Sequence, residues 1–99
     1  MPEITNLAQL EQTPHHQVFE KPAPRTVRLE LAAGDAIAPH SHPGNNIVFY
    51  VVQGELDVTL DGELFTLSTG DIARFSGNHE ISPEAIDDTR ALIVFAPEE

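Results

Sequence analysis

The chain has 99 residues, enough for one domain with a modest core, and it contains no cysteine. Disulfides, thiolate metal ligands and a cysteine nucleophile are therefore excluded. Sixteen acidic against five basic side chains give a formal charge of −11, which disfavours nucleic acid and anionic membranes as partners. The acidity indicates either a solvated surface or adaptation to a high-salt cytoplasm. An acidic start without an apolar segment, and no apolar run of about 18 residues, predict a cytoplasmic protein.

Residues 1–24 are predicted to form an N-terminal arm, and residues 25–99 a single barrel domain. The arm begins with a short helix or strand near residues 4–10 and ends in a stiff, proline-rich connector at 21–24. His15 and His16 lie between these parts. Adjacent histidines on a strand point to opposite sides, so we interpret both as surface residues.

Strands with turn chemistry between them follow the connector. Residues 25–31 alternate charged and apolar side chains, as in a half-buried antiparallel strand, whereas the unbroken apolar run at 47–52 predicts a strand buried on both faces. Asp61-Gly62 is a strong hairpin signal between strands at 55–60 and 63–67. Further strands are predicted at 72–75 and 91–95. This spacing, without a helical period, predicts an antiparallel sandwich or barrel.

Two histidines precede the longest apolar run. His40 and His42 are two residues apart, so on an extended strand both imidazoles project to one face, and Pro43-Gly44 then turns the chain. Two neutral imidazoles could bind zinc, iron, nickel, copper or manganese. The alternative is a pair of histidines satisfied by hydrogen bonds near a barrel mouth.

The spacing of Gly34, His40, His42 and Gly54 resembles the first motif of the cupin superfamily. The glutamate of that motif is replaced by Ile47. The resemblance spans about residues 25–97 and is to small, single-domain, RmlC-like cupins. It implies an all-β fold, an antiparallel jelly-roll (cupin) barrel, and a homodimer in which the N-terminal arm packs against a second subunit.

Residues 70–81 resemble the second cupin motif. Aligned without gaps, Ser76 takes the place of its proline, Asn78 of its glycine and Ile81 of its histidine. Metal-binding cupins use three histidines and the glutamate, and a turn shortened by two residues would bring His79 to the missing histidine position. The resemblance thus implies one divalent metal ion held by His40, His42 and His79.

Isoleucine at two motif positions makes the predicted pocket less polar. It favours an apolar or aromatic small molecule whose polar end meets the first two histidines. Arg74 either meets a ligand carboxylate or forms a surface ion pair, and Tyr50 faces away from the pocket, against a helix, the arm or a partner subunit. The predicted pocket residues are His40, His42, Ile47, Phe49, Val51, His79 and Ile81.

Three functions remain open. The first is a small-molecule binding module that holds metal weakly or not at all. The second is a metal-dependent dioxygenase, isomerase or lyase that uses the three histidines, and the third is a non-catalytic structural dimer. The sequence contains no nucleophile elbow and no phosphate loop, so no catalytic residue is assigned.

Overall fold

The computed structural model describes residues 2–98, which form eight strands in two antiparallel sheets and one short 3₁₀ helix, Leu7–Gln9. No helix in this part of the chain has the length and apolar character needed to cross a membrane. The predicted all-β jelly roll is confirmed. The strands are β1 (His15–Gln17), β2 (Arg25–Leu31), β3 (Asn45–Gln53), β4 (Glu55–Leu60), β5 (Glu63–Ser68), β6 (Ile72–Ser76), β7 (Ile81–Ala85) and β8 (Thr89–Pro97).

The two sheets enclose one apolar core. The larger sheet has the order β1-β2-β8-β3-β6, and the smaller has the order β5-β4-β7. Alternate side chains of β2, β3 and β8 point inward and meet those of β4 and β7. The buried apolar residues are Val27, Leu29, Leu31, Ile47, Phe49, Val51, Leu56, Val58, Phe75, Ile81, Ala85, Ala91, Ile93 and Phe95.

The hairpin between β4 and β5 has the predicted turn. Asp61 has φ +49° and Gly62 has φ +86°, and positive φ at both central residues is what a two-residue hairpin loop of this type requires. The pairing of Leu60 with Glu63 closes the ladder beside the turn. The Asp-Gly signal therefore predicts this hairpin correctly.

Strand β7 is an element that the sequence pattern does not reveal. It contains Pro83, which cannot donate a ladder hydrogen bond and is tolerated chiefly at sheet edges. On one side β7 pairs with β4. On the other side residues 36–40 run along it as an irregular strand, through isolated bridges at Ala36 and His40. The histidine segment is thereby attached to the smaller sheet.

The prediction that β3 is buried on both faces is wrong. Ile47 and Phe49 are buried, but Val48 and Tyr50 are 39% and 37% exposed. They lie on the outer face of the larger sheet, and β6 adds Ile72, 69% exposed, as the direct cross-strand neighbour of Tyr50. Nothing among residues 2–98 covers this part of the outer face.

The arm covers the other part of that outer face, over β2. Arg28 projects outward from β2, yet its side chain is fully buried. Its guanidinium donates hydrogen bonds to the backbone carbonyls of Leu7 (3.3 Å), Leu10 (3.1 Å) and Gln12 (2.8 Å). Because these bonds join a charged donor to the backbone carbonyls of three arm residues, they hold the arm against the sheet.

Gly54, between β3 and β4, is predicted to be essential for folding stability. It has φ +103°, and a Cβ there would lie 2.4 Å from the Asp88 carbonyl oxygen. Gly34 has a similar φ of +89° but nothing within 4 Å. Gly54→Ala should therefore lower the free energy of unfolding by about 1–3 kcal/mol more than Gly34→Ala. Urea denaturation measures both, and equal losses would contradict the close contact.

Candidate functional site

A cavity of about 550 Å³ opens between the two sheets. Its inner walls are apolar side chains of the core, and polar side chains gather on the segment before β3 and on β1 and β2. The lining residues are His15, Gln17, Arg25, Val27, Leu29, Ile37, Ala38, Pro39, His40, His42, Ile47, Phe49, Phe75, Ile81, Pro83, Ile93 and Phe95.

Backbone contacts with the smaller sheet and the β6–β7 turn position the two predicted histidines. The His40 N–H donates to the Ile81 carbonyl (3.1 Å), and the Ile81 N–H donates back (2.7 Å). The His42 N–H donates to the Gly77 carbonyl at 2.7 Å. A Cβ on Gly77 would lie 2.4 Å from the His42 carbonyl oxygen, so this close approach requires glycine.

The two imidazoles lie side by side at the cavity, both half-buried. Their ring centroids are 4.9 Å apart with perpendicular planes, and the His42 ring also contacts the Phe95 ring, with centroids 4.8 Å apart. His40 Nδ1 lies 3.1 Å from the Ala38 carbonyl oxygen, so it carries the proton in the neutral ring and leaves Nε2 as an acceptor. Burial, followed by the positive charges of His40 and Arg25, lowers the pKa of His42.

His15 is exposed, as the sequence predicts, but it also lines the rim of the cavity from β1, which the sequence does not predict. Its backbone position pairs with Leu29 on β2, and Gln17 pairs with Val27, so both arm side chains share the face of these core residues. Partial burial of its ring, then His40 and Arg25, lowers the pKa of His15. His16 points away, and its Nδ1 accepts a hydrogen bond from the Gln12 N–H. From the sequence, only the rule that adjacent strand residues point to opposite sides indicates that His15 and His16 have different surroundings.

Arg25 is a second lining residue that the sequence analysis misses. Its guanidinium carbon lies 4.4 Å from the centroid of the Phe95 ring, a cation–π contact. Arg25 and Phe95 are direct partners in the β2–β8 ladder, which fixes this stacking. Arg25, Phe95, His42 and His40 therefore form a continuous row of contacting side chains along the cavity.

Three of the four predicted apolar pocket residues line the cavity, and the fourth lies in the core. Ile47, Phe49 and Ile81 line the cavity. Val51 does not, because it is fully buried deeper in the barrel, opposite Ala91 on β8.

His79 does not lie with the other two predicted metal ligands. Its Nδ1 is 2.5 Å from the Asp61 carboxylate, which also accepts a hydrogen bond from the Glu80 N–H at 2.7 Å. The hydrogen bond with His79, and after it the one from Glu80, lower the pKa of Asp61. The reason for the difference is that β7 begins at Ile81. Residues 77–79 form a turn, so the alternation of a strand does not extend back to His79.

Arg74 and Tyr50 lie on the outer face of the larger sheet. Arg74 is exposed and pairs in register with Val48, and it lines no part of the cavity. Tyr50 faces away from the cavity, as its alternation with Phe49 predicts.

The side chains around the cavity do not provide a complete metal site. Structural and catalytic metal sites of the zinc type use at least three protein ligands. Among residues 2–98, no group of three histidine, aspartate or glutamate side chains is arranged to hold an ion. His40 and His42 can offer two imidazoles, and the motif positions of the other two ligands hold isoleucine. This donor set does not fit a tightly bound metal.

Comparisons with known proteins agree with the fold. The family model for the cupin domain matches residues 27–96. KdgF from Halomonas sp. is similar, with 28% identity and a TM-score of 0.74 over 86% of this chain and 78% of that one. TT1209 from Thermus thermophilus is 26% identical, with a TM-score of 0.80 over 99% and 100%. An RmlC-like cupin from Desulfovibrio desulfuricans, 20% identical, shares the fold with a TM-score of 0.84 over 98% of each chain. The search of curated proteins finds no match.

Proposed function

Because the chain belongs to the cupin domain family, we propose that its barrel is a binding module for a small organic molecule. One observation carries the proposal: the cavity between the sheets, about 550 Å³ in volume, has apolar walls and a few convergent polar groups. Small-molecule sites in proteins have this size and this composition. In this binding mode the apolar part of the ligand lies against Phe49 and Ile81, and its polar end meets His40 and His42.

The aromatic and branched side chains of the cavity supply the affinity. Burying an apolar ligand surface against them contributes about 25 cal/mol per Å² before the cost of immobilising the ligand. The imidazoles supply orientation. A neutral histidine offers one N–H donor and one acceptor, so His40 and His42 can pair with a hydroxyl, carbonyl or carboxyl group.

A metal-dependent enzyme is the alternative, and the donor set disfavours it. A divalent ion at His40 and His42 would have two protein ligands and no carboxylate to offset its charge, so we propose weak metal binding at most. The third predicted ligand, His79, lies on the β6–β7 turn, and its imidazole is hydrogen-bonded to Asp61 of the β4–β5 hairpin. Any activity that needs a tightly held ion would require this turn to rearrange.

The first prediction concerns metal. Protein purified without added metal and dialysed should contain well under one divalent ion per chain by elemental analysis, because two imidazoles alone bind weakly. A chelator should leave the melting temperature unchanged, since only a ligand that binds the folded state raises it. About one ion per chain, lost in both His42→Ala and His79→Ala, would instead establish the three-histidine metal site and favour the enzyme.

The second prediction concerns the cavity itself. The neutral dye N-phenyl-1-naphthylamine should gain fluorescence on binding the folded protein. Ala38→Trp places a large ring at the exposed rim of the cavity and should abolish this gain. Ala33→Trp, at an exposed turn that does not line the cavity, is the matched control and should bind like the wild type. Equal binding by both variants would contradict a site in the barrel.

Self-association is a second candidate, favoured by the exposed apolar patch of Val48, Tyr50 and Ile72 on the outer face of the larger sheet. Contiguous apolar patches of this kind mark interaction surfaces. We propose that two copies pair through this patch, with the arm beside it.

Light scattering after size exclusion tests the dimer. The wild type should elute as a dimer, and Ile72→Ser should shift it toward monomer, because it removes the most exposed apolar side chain of the patch. Leu64→Ser is the matched control: Leu64 is 58% exposed, but it lies on the smaller sheet. A monomeric wild type, or equal effects of the two substitutions, would contradict pairing through this face.

A further inference from the structure

The charges of this protein are distributed unevenly between its surface and its cavity. The chain has 16 acidic side chains and only 5 lysines and arginines. No acidic side chain lines the cavity in the described part of the chain, whereas Arg25 and three of the five histidines do. The charged side chain that lines the cavity is therefore a cation, although the protein as a whole is strongly acidic.

We infer that the cavity binds an organic anion with an apolar body, whose charged group lies against Arg25, with His15 and His42 beside it. This inference rests on the proposed function, because it names the chemical class of the ligand of the same cavity. The apolar body would lie deeper in the barrel, toward Phe49 and Ile81.

Arg25 differs from the arginines that have structural partners. Arg28 and Arg90 lie 3.8 Å and 2.7 Å from the carboxylate of Glu30. Arg25 forms no ion pair with an acidic side chain within residues 2–98, and its contact is with the face of the Phe95 ring. A guanidinium stacked on a ring keeps the N–H groups at its edge directed outward, and these bind carboxylate or sulfonate oxygens in bidentate fashion.

The surroundings of Arg25 strengthen this recognition. Its charge acts within the cavity, since it contributes, after burial and His40, to the lowered pKa of His15. Arg25 is exposed at the rim of the cavity and the adjacent walls are apolar, so the charged group and the apolar body of one ligand would each meet a matching surface. A cationic ligand would meet Arg25 without any carboxylate in the described lining of the cavity to bind it. A neutral ligand would leave the guanidinium unpaired, so an anion is favoured over both.

Two fluorescent dyes of nearly the same shape test the charge requirement. 1-Anilinonaphthalene-8-sulfonate carries a sulfonate that N-phenyl-1-naphthylamine lacks. Both should be titrated into the folded wild type, Arg25→Gln and Arg74→Gln. Arg74 is the matched control because it is exposed beside the apolar patch of the outer face and does not line the cavity.

The inference predicts tighter binding of the sulfonate dye by the wild type. Arg25→Gln should weaken the binding of the sulfonate dye about tenfold and leave that of the neutral dye unchanged, because a charge-assisted hydrogen bond is lost. Arg74→Gln should behave like the wild type with both dyes.

Three results would overturn the inference. Equal affinity of the wild type for the two dyes, with Ala38→Trp still abolishing both, would remove the charge requirement and leave the proposed function intact. Loss of sulfonate binding in Arg74→Gln but not in Arg25→Gln would place the anion on the outer face. Failure of both dyes to bind the folded wild type would overturn the inference and the proposed function together.

Discussion

The antiparallel pairing of His40 with Ile81 determines which side chains line one end of the cavity. Two backbone hydrogen bonds join these residues, and they hold the histidine segment along the edge of β7. Ile81 is thereby fixed at the cavity, beside the imidazole of His40. Because β7 begins at Ile81, His79 falls in the preceding turn, where Asp61 binds it. The same two bonds therefore place the apolar side chain of Ile81, and not His79, next to His40 at the cavity.

The rest of the site follows from how the two sheets meet around this pair. The larger sheet brings Arg25 next to Phe95 through the β2–β8 ladder and adds His15 through the short strand of the arm. The arm itself is held by Arg28, whose buried guanidinium binds three of its carbonyls. A single buried cation thus supports a segment that contributes two side chains, His15 and Gln17, to the cavity. The result is a site with cationic and imidazole groups at one end and aromatic and branched side chains at the other.

Much of the fold was predictable because its signals are local, whereas much of the site depends on contacts between distant segments. Asp61-Gly62 predicts its hairpin because two adjacent residues determine a turn. The sequence does not reveal strand β7, because proline is unfavourable inside a strand. In the structure, the chain on one side of β7 is the irregular strand of residues 36–40, so Pro83 does not interrupt a regular ladder there. Residues 47–52 suggested burial on both faces, but hydrophobicity alone cannot indicate that a strand lies in a sheet with one uncovered face. His15 reaches the cavity only through pairing with β2, a strand that lies beyond the proline-rich connector.

The central claim is that an organic ligand engages His15, His40 and His42 without His79. NMR signals of the five histidine rings test this claim most directly. In ¹⁵N NMR spectra of histidine-labelled protein, assigned by single substitutions, 1-anilinonaphthalene-8-sulfonate should shift the ring signals of those three residues. The signals of His16, which points away from the cavity, and of His79 should stay in place. A shift of His79 together with His40 and His42, or no shift at any cavity histidine, would contradict the account.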